Sequence, residues 1–335
     1  METEMKSLDL KLQNIRNGQY GPEDFIIADA KDADMAYGLM APPAILGEDG
    51  TVRSGNRASY LQAMREMTGS GVIDILLASA SSGEILAREQ LFADSPVTLA
   101  VRCNDTTDIW YPRGARYGKS PSRPFRTAHL ERVKTFSDLG LYSITFSNDL
   151  EHDMRTLEAY AAFRDEACDL GLRHFLEVFN PAFDVGIAPD QLGFYIADSI
   201  VRCLAGTVTA EQPLFLKLAY LGRPAMEQLA AYDPTRLVVG ILGGPKGTTR
   251  DTFELLGRAE RAGARVALFG RKINHAEDPL TLVALMREVL QQSVGPEEAV
   301  RAYHAGLEAK NIHPALPLAE DLELTDAVLR AEVAA

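Results

Sequence analysis

Eight short aliphatic or β-branched runs recur along the chain, at residues 25–28, 72–78, 97–101, 141–146, 174–179, 214–218, 237–241 and 264–269. Longer segments with apolar residues near helical spacing separate them, at 54–67, 150–168, 192–204, 225–231, 248–262 and 279–290. Strands that read as nearly continuous apolar runs are buried on both faces, as parallel strands covered by helices are. Eightfold strand–helix alternation therefore predicts an α/β fold, a closed (β/α)8 TIM barrel. It has an N-terminal helix before the first strand and extra helices after the last. A doubly wound open sheet is the alternative. Ser54 reads as the cap of the 54–67 helix, and Gly140, Gly171 and Gly263 as residues that end helices before strands.

The 335 residues are enough for two or three domains, but one barrel with extensions also uses this length. No Gly-, Pro- or Ser-rich linker divides the sequence. The expected organisation is a single domain, with the barrel over about 25–290 and a helical extension over about 295–335. That extension either covers the barrel or forms a subunit contact. The connection over 104–130 is unusually long and basic. A net charge of −13 argues against nucleic-acid or anionic-membrane partners. No stretch of about 18 apolar residues offers a membrane span. The three cysteines are far apart in sequence, which fits a reducing, cytoplasmic setting and not a disulfide scaffold or a cysteine zinc site.

Catalytic groups of such barrels sit at the C-terminal ends of strands and in the loops that follow. Lys217 interrupts the sixth apolar run. Alternation places it with Phe215, opposite Leu214, Leu216 and Leu218, so it points inward if the leucines face the helices. Burial disfavours an ammonium and makes an amine available for Schiff-base chemistry; a lysine paired for structure alone is the bland reading. Glu177 interrupts the fifth run in the same way, on a face with Phe175 and Phe179. An inward carboxylate near a lysine suits proton transfer, or simply charge neutralisation. Asp29, Lys31, Asp32 and Asp34 follow the first run. Asp29, at the strand tip, is the candidate for a pocket-facing acid.

Gly243 and Gly244 after the seventh run, and Gly270 with Arg271 after the eighth, suit phosphate binding, since backbone N–H groups and a guanidinium can cradle an anion there. Dinucleotide-binding and Walker glycine patterns are absent. So is a serine-hydrolase elbow. None of the six histidines forms a metal-binding pair.

The segments FLKLAY, GGPKGTTRDTFE and GRKINHAEDP, with FLEVFNP about 40 residues before the lysine and IIADAK at the first strand, resemble class I Schiff-base aldolases of the (β/α)8 type. Two groups are similar: archaeal-type fructose-bisphosphate aldolases, and tagatose-bisphosphate or sulfosugar-phosphate aldolases. The resemblance spans about 25–290. It implies a lyase that makes or breaks a C–C bond in a phosphorylated sugar or sugar acid. Lys217 would form the imine, Glu177 would move the proton, and Asp29 would orient or deprotonate a substrate hydroxyl. Gly243, Gly244, Gly270, Arg271 and Lys31 would bind substrate or phosphate. No metal or other cofactor is expected, and a homo-oligomer is.

The sequence departs from the pattern in places. The archaeal tyrosine after strand five is Asn180 here. Ser143, Thr145 and Ser147 stand where a second lysine is expected. The cluster Arg113, Arg116, Lys119, Arg123 and Arg126 belongs to neither group; it is a lid that binds an acid or a second phosphate, or a solvated loop. A metal-dependent lyase or isomerase on the same barrel, and a non-catalytic sugar-phosphate sensor, are the alternative functions.

Overall fold

The computed structural model describes residues 5–46 and 52–334. Eight parallel strands close into a barrel: β1 (Ile26–Lys31), β2 (Ile75–Ala78), β3 (Thr98–Arg102), β4 (Leu139–Thr145), β5 (Arg173–Phe179), β6 (Leu216–Leu218), β7 (Gly240–Leu242) and β8 (Val266–Phe269). Each strand pairs with its sequence neighbours, and β8 returns to β1. All eight apolar runs became strands in the expected order. Closure leaves no exposed sheet edge.

Side-chain alternation divides the core into two layers. Ile26, Ala28, Ala30, Leu77, Ala100, Leu141, Phe175, Phe215 and Leu268 fill the barrel interior. Ile27, Leu76, Val101, Ile144, Leu176, Val178, Leu216, Leu218 and Ile241 face the surrounding helices. Helix Ser7–Arg16 precedes β1, and its Leu8, Leu12 and Ile15 belong to the interior cluster. Their spacing of four and three residues makes one apolar stripe, and that stripe seals the N-terminal end of the barrel. The opposite end remains open to the loops that follow the strands.

Helix boundaries follow local capping chemistry. Helix Arg57–Ser70 begins after Asn56, whose side chain accepts a hydrogen bond from Ser59 N at 3.0 Å. Ser54 is therefore not the cap, because Asn56 and Ser59 form the reciprocal pair. Gly140 also differs from the sequence expectation: it lies inside β4 and not at a helix end. A Cβ there would stand 2.8 Å from Cys103 Sγ, so close strand packing and not a turn requires the glycine. Gly171 and Gly263 do take the left-handed conformation after helices.

Helix Pro296–Ala309 buries Ala299, Val300, Tyr303 and Leu307. The final helix, Ala327–Ala334, is held through Glu332, which accepts from Tyr220 Oη at 2.9 Å and Arg223 N at 2.7 Å. Asp251, at the start of helix Thr249–Arg261, accepts from the backbone N–H groups of Thr325 and Asp326. The extension thus packs against the outer helices on the β6–β8 side. No helix among the described residues is long and apolar enough to cross a membrane.

Candidate active site

Register fixes the centre of the site. Glu177 on β5 is the Cα partner of Lys217 on β6 and of Ser143 on β4. All three side chains point inward, with exposures of 1%, 5% and 0%, because Phe175 and Phe215 two residues earlier already face the interior. The rings of Phe175 and Phe215 stack with centroids 4.5 Å apart, an apolar floor beneath the polar layer. Lys217 Nζ lies 2.5 Å from Glu177 Oε1. Ser143 Oγ donates to Glu177 Oε2 at 2.8 Å.

Arg102, the last residue of β3, completes this layer. Its Nη2 donates to Glu177 Oε2 at 2.9 Å, its Nη1 to Ser143 Oγ at 2.7 Å and its Nε to Asp32 Oδ2 at 2.5 Å. Asn104 secures the strand end: its Nδ2 donates to Ser143 O at 2.8 Å and its Oδ1 accepts from Ser143 N at 2.6 Å. Two cations and two carboxylates are thereby matched within one buried cluster. Burial favours the neutral form of Asp32, but Arg102, with Lys217 adding to it, outweighs burial and lowers its pKa. Burial opposes the Arg102 charge, and Asp32 and Glu177 more than restore it. Internal proton exchange between Lys217 and Glu177 leaves the total charge unchanged, so it requires no ion from solvent.

Above this layer opens a cavity of about 340 Å³. Asp32, Arg102, Glu177 and Lys217 line its depth, and Gly243, Gly244, Gly270 and Arg271 line one flank. Gly244 has φ +65°, and a Cβ on Gly243 would come within 3.0 Å of the Phe269 ring. The glycines there serve backbone shape and close packing as well as any ligand. His275 also lines the cavity; burial, helped by Lys246, Lys31 and Arg271, lowers its pKa and favours the neutral ring.

Asp29 and Lys31 are not in the cavity. Ala28 and Ala30 face inward, so alternation turns Asp29 and Lys31 outward, toward the helices. Lys31 Nζ lies 3.2 Å from Asp29 Oδ2 and donates to Asn274 Oδ1 at 2.9 Å. Burial raises the Asp29 pKa, and Lys31 partly offsets that. The inward acid of this loop is Asp32. The parity of β1 contained that signal, whereas position at the strand tip pointed to Asp29. Arg102 was also missed, although an arginine ending an apolar strand carries the same signal as Lys217.

The basic connection folds over part of the mouth. Asp105–Thr106 pairs with Pro124–Phe125 as a two-stranded hairpin, and Ile109 and Tyr111 line the cavity. Asp108 anchors it, accepting from Ser122 Oγ at 2.8 Å and Thr145 Oγ1 at 2.7 Å. Arg113, Arg116, Lys119, Arg123 and Arg126 are exposed and outside the cavity lining. Arg126 instead pairs with Glu166 at 2.7 Å. The connection thus supplies apolar wall and not a second ring of cations. Asn180 is exposed and absent from the lining, and Phe179 takes a place there.

Solved structures share this architecture. One is a Schiff-base-forming fructose-1,6-bisphosphate aldolase, 18% identical, with TM-score 0.58, matching 84% of this chain and 99% of its own. Another is an archaeal fructose-1,6-bisphosphate aldolase with its catalytic lysine bound to a carbinolamine intermediate. It is 17% identical, with TM-score 0.60, matching 85% of this chain and 99% of its own. In fold, the chain is a closed (β/α)8 barrel like those of these aldolases. An uncharacterised aldolase of Saccharolobus solfataricus is 25% identical over 225 residues, which is 64% of this chain and 77% of the relative. No family model matches the sequence. Among the described residues of this barrel, no three His, Cys, Asp or Glu side chains converge as a metal site.

Proposed function

We propose that the chain is a class I aldolase, a lyase that cleaves or forms a C–C bond in a phosphorylated sugar or sugar acid through an imine on Lys217. The observation that carries this reading is the 2.5 Å approach of Lys217 Nζ to Glu177 Oε1 in the depth of the cavity. Glu177 accepts the lysine proton and frees the amine. The amine attacks a ketone carbonyl, and the carbinolamine loses water to give the iminium.

In the cleavage direction, a carboxylate takes the proton of the substrate hydroxyl beside the scissile bond. That hydroxyl becomes the aldehyde carbonyl. The pair of electrons from the broken C–C bond moves into the iminium and gives an enamine. Protonation at carbon and hydrolysis by water release the ketone and restore the lysine. Asp32, held as a carboxylate by Arg102, orients or deprotonates the hydroxyl in this reading, the role that the resemblance implies for Asp29. Gly243, Gly244, Gly270 and Arg271 are proposed to bind the phosphate or carboxylate of the substrate. A cytoplasmic setting and a homo-oligomeric assembly are part of the same proposal.

The test is borohydride reduction in the presence of dihydroxyacetone phosphate or pyruvate, followed by peptide mass analysis. The expected result is one covalent adduct on Lys217 that disappears in Lys217→Ala. Turnover of a carbonyl substrate by Lys217→Ala at the wild-type rate would remove the imine from the mechanism.

A further inference from the structure

The cavity walls differ sharply in chemistry. Toward β7 and β8 they are glycine backbone with Leu242 and Leu268, and the polar side chains of Arg271, Asn274 and His275. Toward the loops after β1 and β3 they are Tyr37, Met40, Ile109 and Tyr111, with Phe179 from the end of β5. The rings of Tyr37 and Tyr111 stack with centroids 5.4 Å apart and an interplanar angle of 21°. Tyr111 N donates to Ala36 O at 2.8 Å, so backbone pairing between the two loops holds the aromatic pair in place.

Charge is equally uneven. Arg102 and Lys217 are already matched by Asp32 and Glu177. Among the described residues, Arg271 is the one lysine or arginine of the lining without a carboxylate partner. The cations at 113, 116, 119 and 123 are exposed and lie outside the lining. A second anion pressed against the Tyr37–Tyr111 wall would give up water, and the one unmatched cation within reach of Tyr111, Arg271, is already engaged by the first. An alkyl or aryl group there would instead remove apolar surface from water on both sides.

We infer that the site takes a substrate with a single anionic group, held toward Gly243, Gly244, Gly270 and Arg271. An uncharged apolar group lies on the other side of the scissile bond, against Tyr37, Ile109 and Tyr111. This rests on the imine reading above and narrows its substrate class. In the synthetic direction the acceptor is an alkyl or aryl aldehyde. The enamine pair forms the bond to the aldehyde carbon, the aldehyde oxygen takes up a proton, and water hydrolyses the iminium that remains.

The experiment uses the full chain with dihydroxyacetone phosphate or pyruvate as donor. It compares kcat/KM for butanal and benzaldehyde with that for glyceraldehyde 3-phosphate, alongside borohydride trapping. The expected result is a preference of about tenfold or more for an uncharged aldehyde, the scale on which apolar pockets discriminate. Tyr111→Arg and Ile109→Lys should each shift the ratio toward the phosphorylated aldehyde, with thermal melting as a check on folding. Trapping at Lys217 combined with a preference for glyceraldehyde 3-phosphate overturns this inference and leaves the imine reading standing. Absence of trapping with either donor overturns the imine reading, and the inference falls with it.

Discussion

Arg102 and Glu177 are in contact although their strands are not neighbours: Nη2 lies 2.9 Å from Oε2, across the intervening β4. The guanidinium and Ser143 both engage Oε2, which leaves Oε1 to Lys217. One oxygen of the carboxylate is thus held by fixed donors while the other faces the amine. That division of contacts lets Glu177 exchange a proton with Lys217 without moving.

Arg102→Met keeps an unbranched apolar stem and removes the guanidinium with its charge. Asp32 and Glu177 then remain buried with Lys217 as their one close cation. Breaking a buried pair in this way costs about 3–5 kcal/mol. The expected outcome is a clear drop in the melting temperature together with loss of turnover, read by calorimetry and by aldol assay. A melting curve that overlays wild type would show that the cluster contributes no net stability.

Glu177→Gln tests the proton path separately. The amide fills the same space but cannot take the proton of Lys217. A positioned acid–base group contributes roughly 10²–10⁴-fold, so kcat should fall by that order. Slow reduction to a Lys217 adduct should still be measurable, because the amine remains. An unchanged kcat would move the proton transfer to another group.

The barrel and its central pair were legible in the sequence because both depend on alternation. Eight apolar runs determine eight strands, and parity within two of them turns Lys217 and Glu177 inward. Strand-tip position alone does not decide which acid after β1 turns inward; the inward alanines at 28 and 30 oblige Asp32 and not Asp29 to face the cavity. The partnership of Arg102 with Glu177 spans two strands, and no local pattern encodes it. Nor did composition reveal that the basic connection would present Ile109 and Tyr111 to the cavity and leave its arginines in solvent. Loop conformation depends on anchors such as Asp108, which reaches Ser122 and Thr145 far along the chain.

The two aspartates after β1 should therefore separate kinetically. Asp32→Asn alters a group that lines the cavity and is predicted to lower kcat/KM by about tenfold or more, because a charge-assisted contact is weakened at the reacting end. Asp29→Asn leaves Lys31, which like Asp29 is not a lining residue, with Asn274 as its remaining partner. It should lower the melting temperature while kcat/KM of the folded enzyme stays near wild type. Equal kinetic losses in both variants would contradict the outward placement of Asp29.

Asp105, outside the cavity lining, supplies a pH signature in stability. Burial pushes its carboxyl up to about 6, with Arg102 and the Thr127 hydroxyl opposing and Asp32 adding to the rise. The unfolded chain releases this proton near the ordinary aspartate value of 3.8. Between those two values the folded protein holds a proton that the unfolded chain has lost, so this group makes stability fall as pH rises through the window. The penalty is complete above about pH 6 and absent below the unfolded value. Asp105→Asn removes the titrating group and keeps its shape. Its melting temperature should exceed wild type at pH 7–8, and the gain should shrink as pH is lowered toward 4.5. A gain that is constant across this range, or that grows toward acid, would mean that Asp105 is not held protonated by its surroundings.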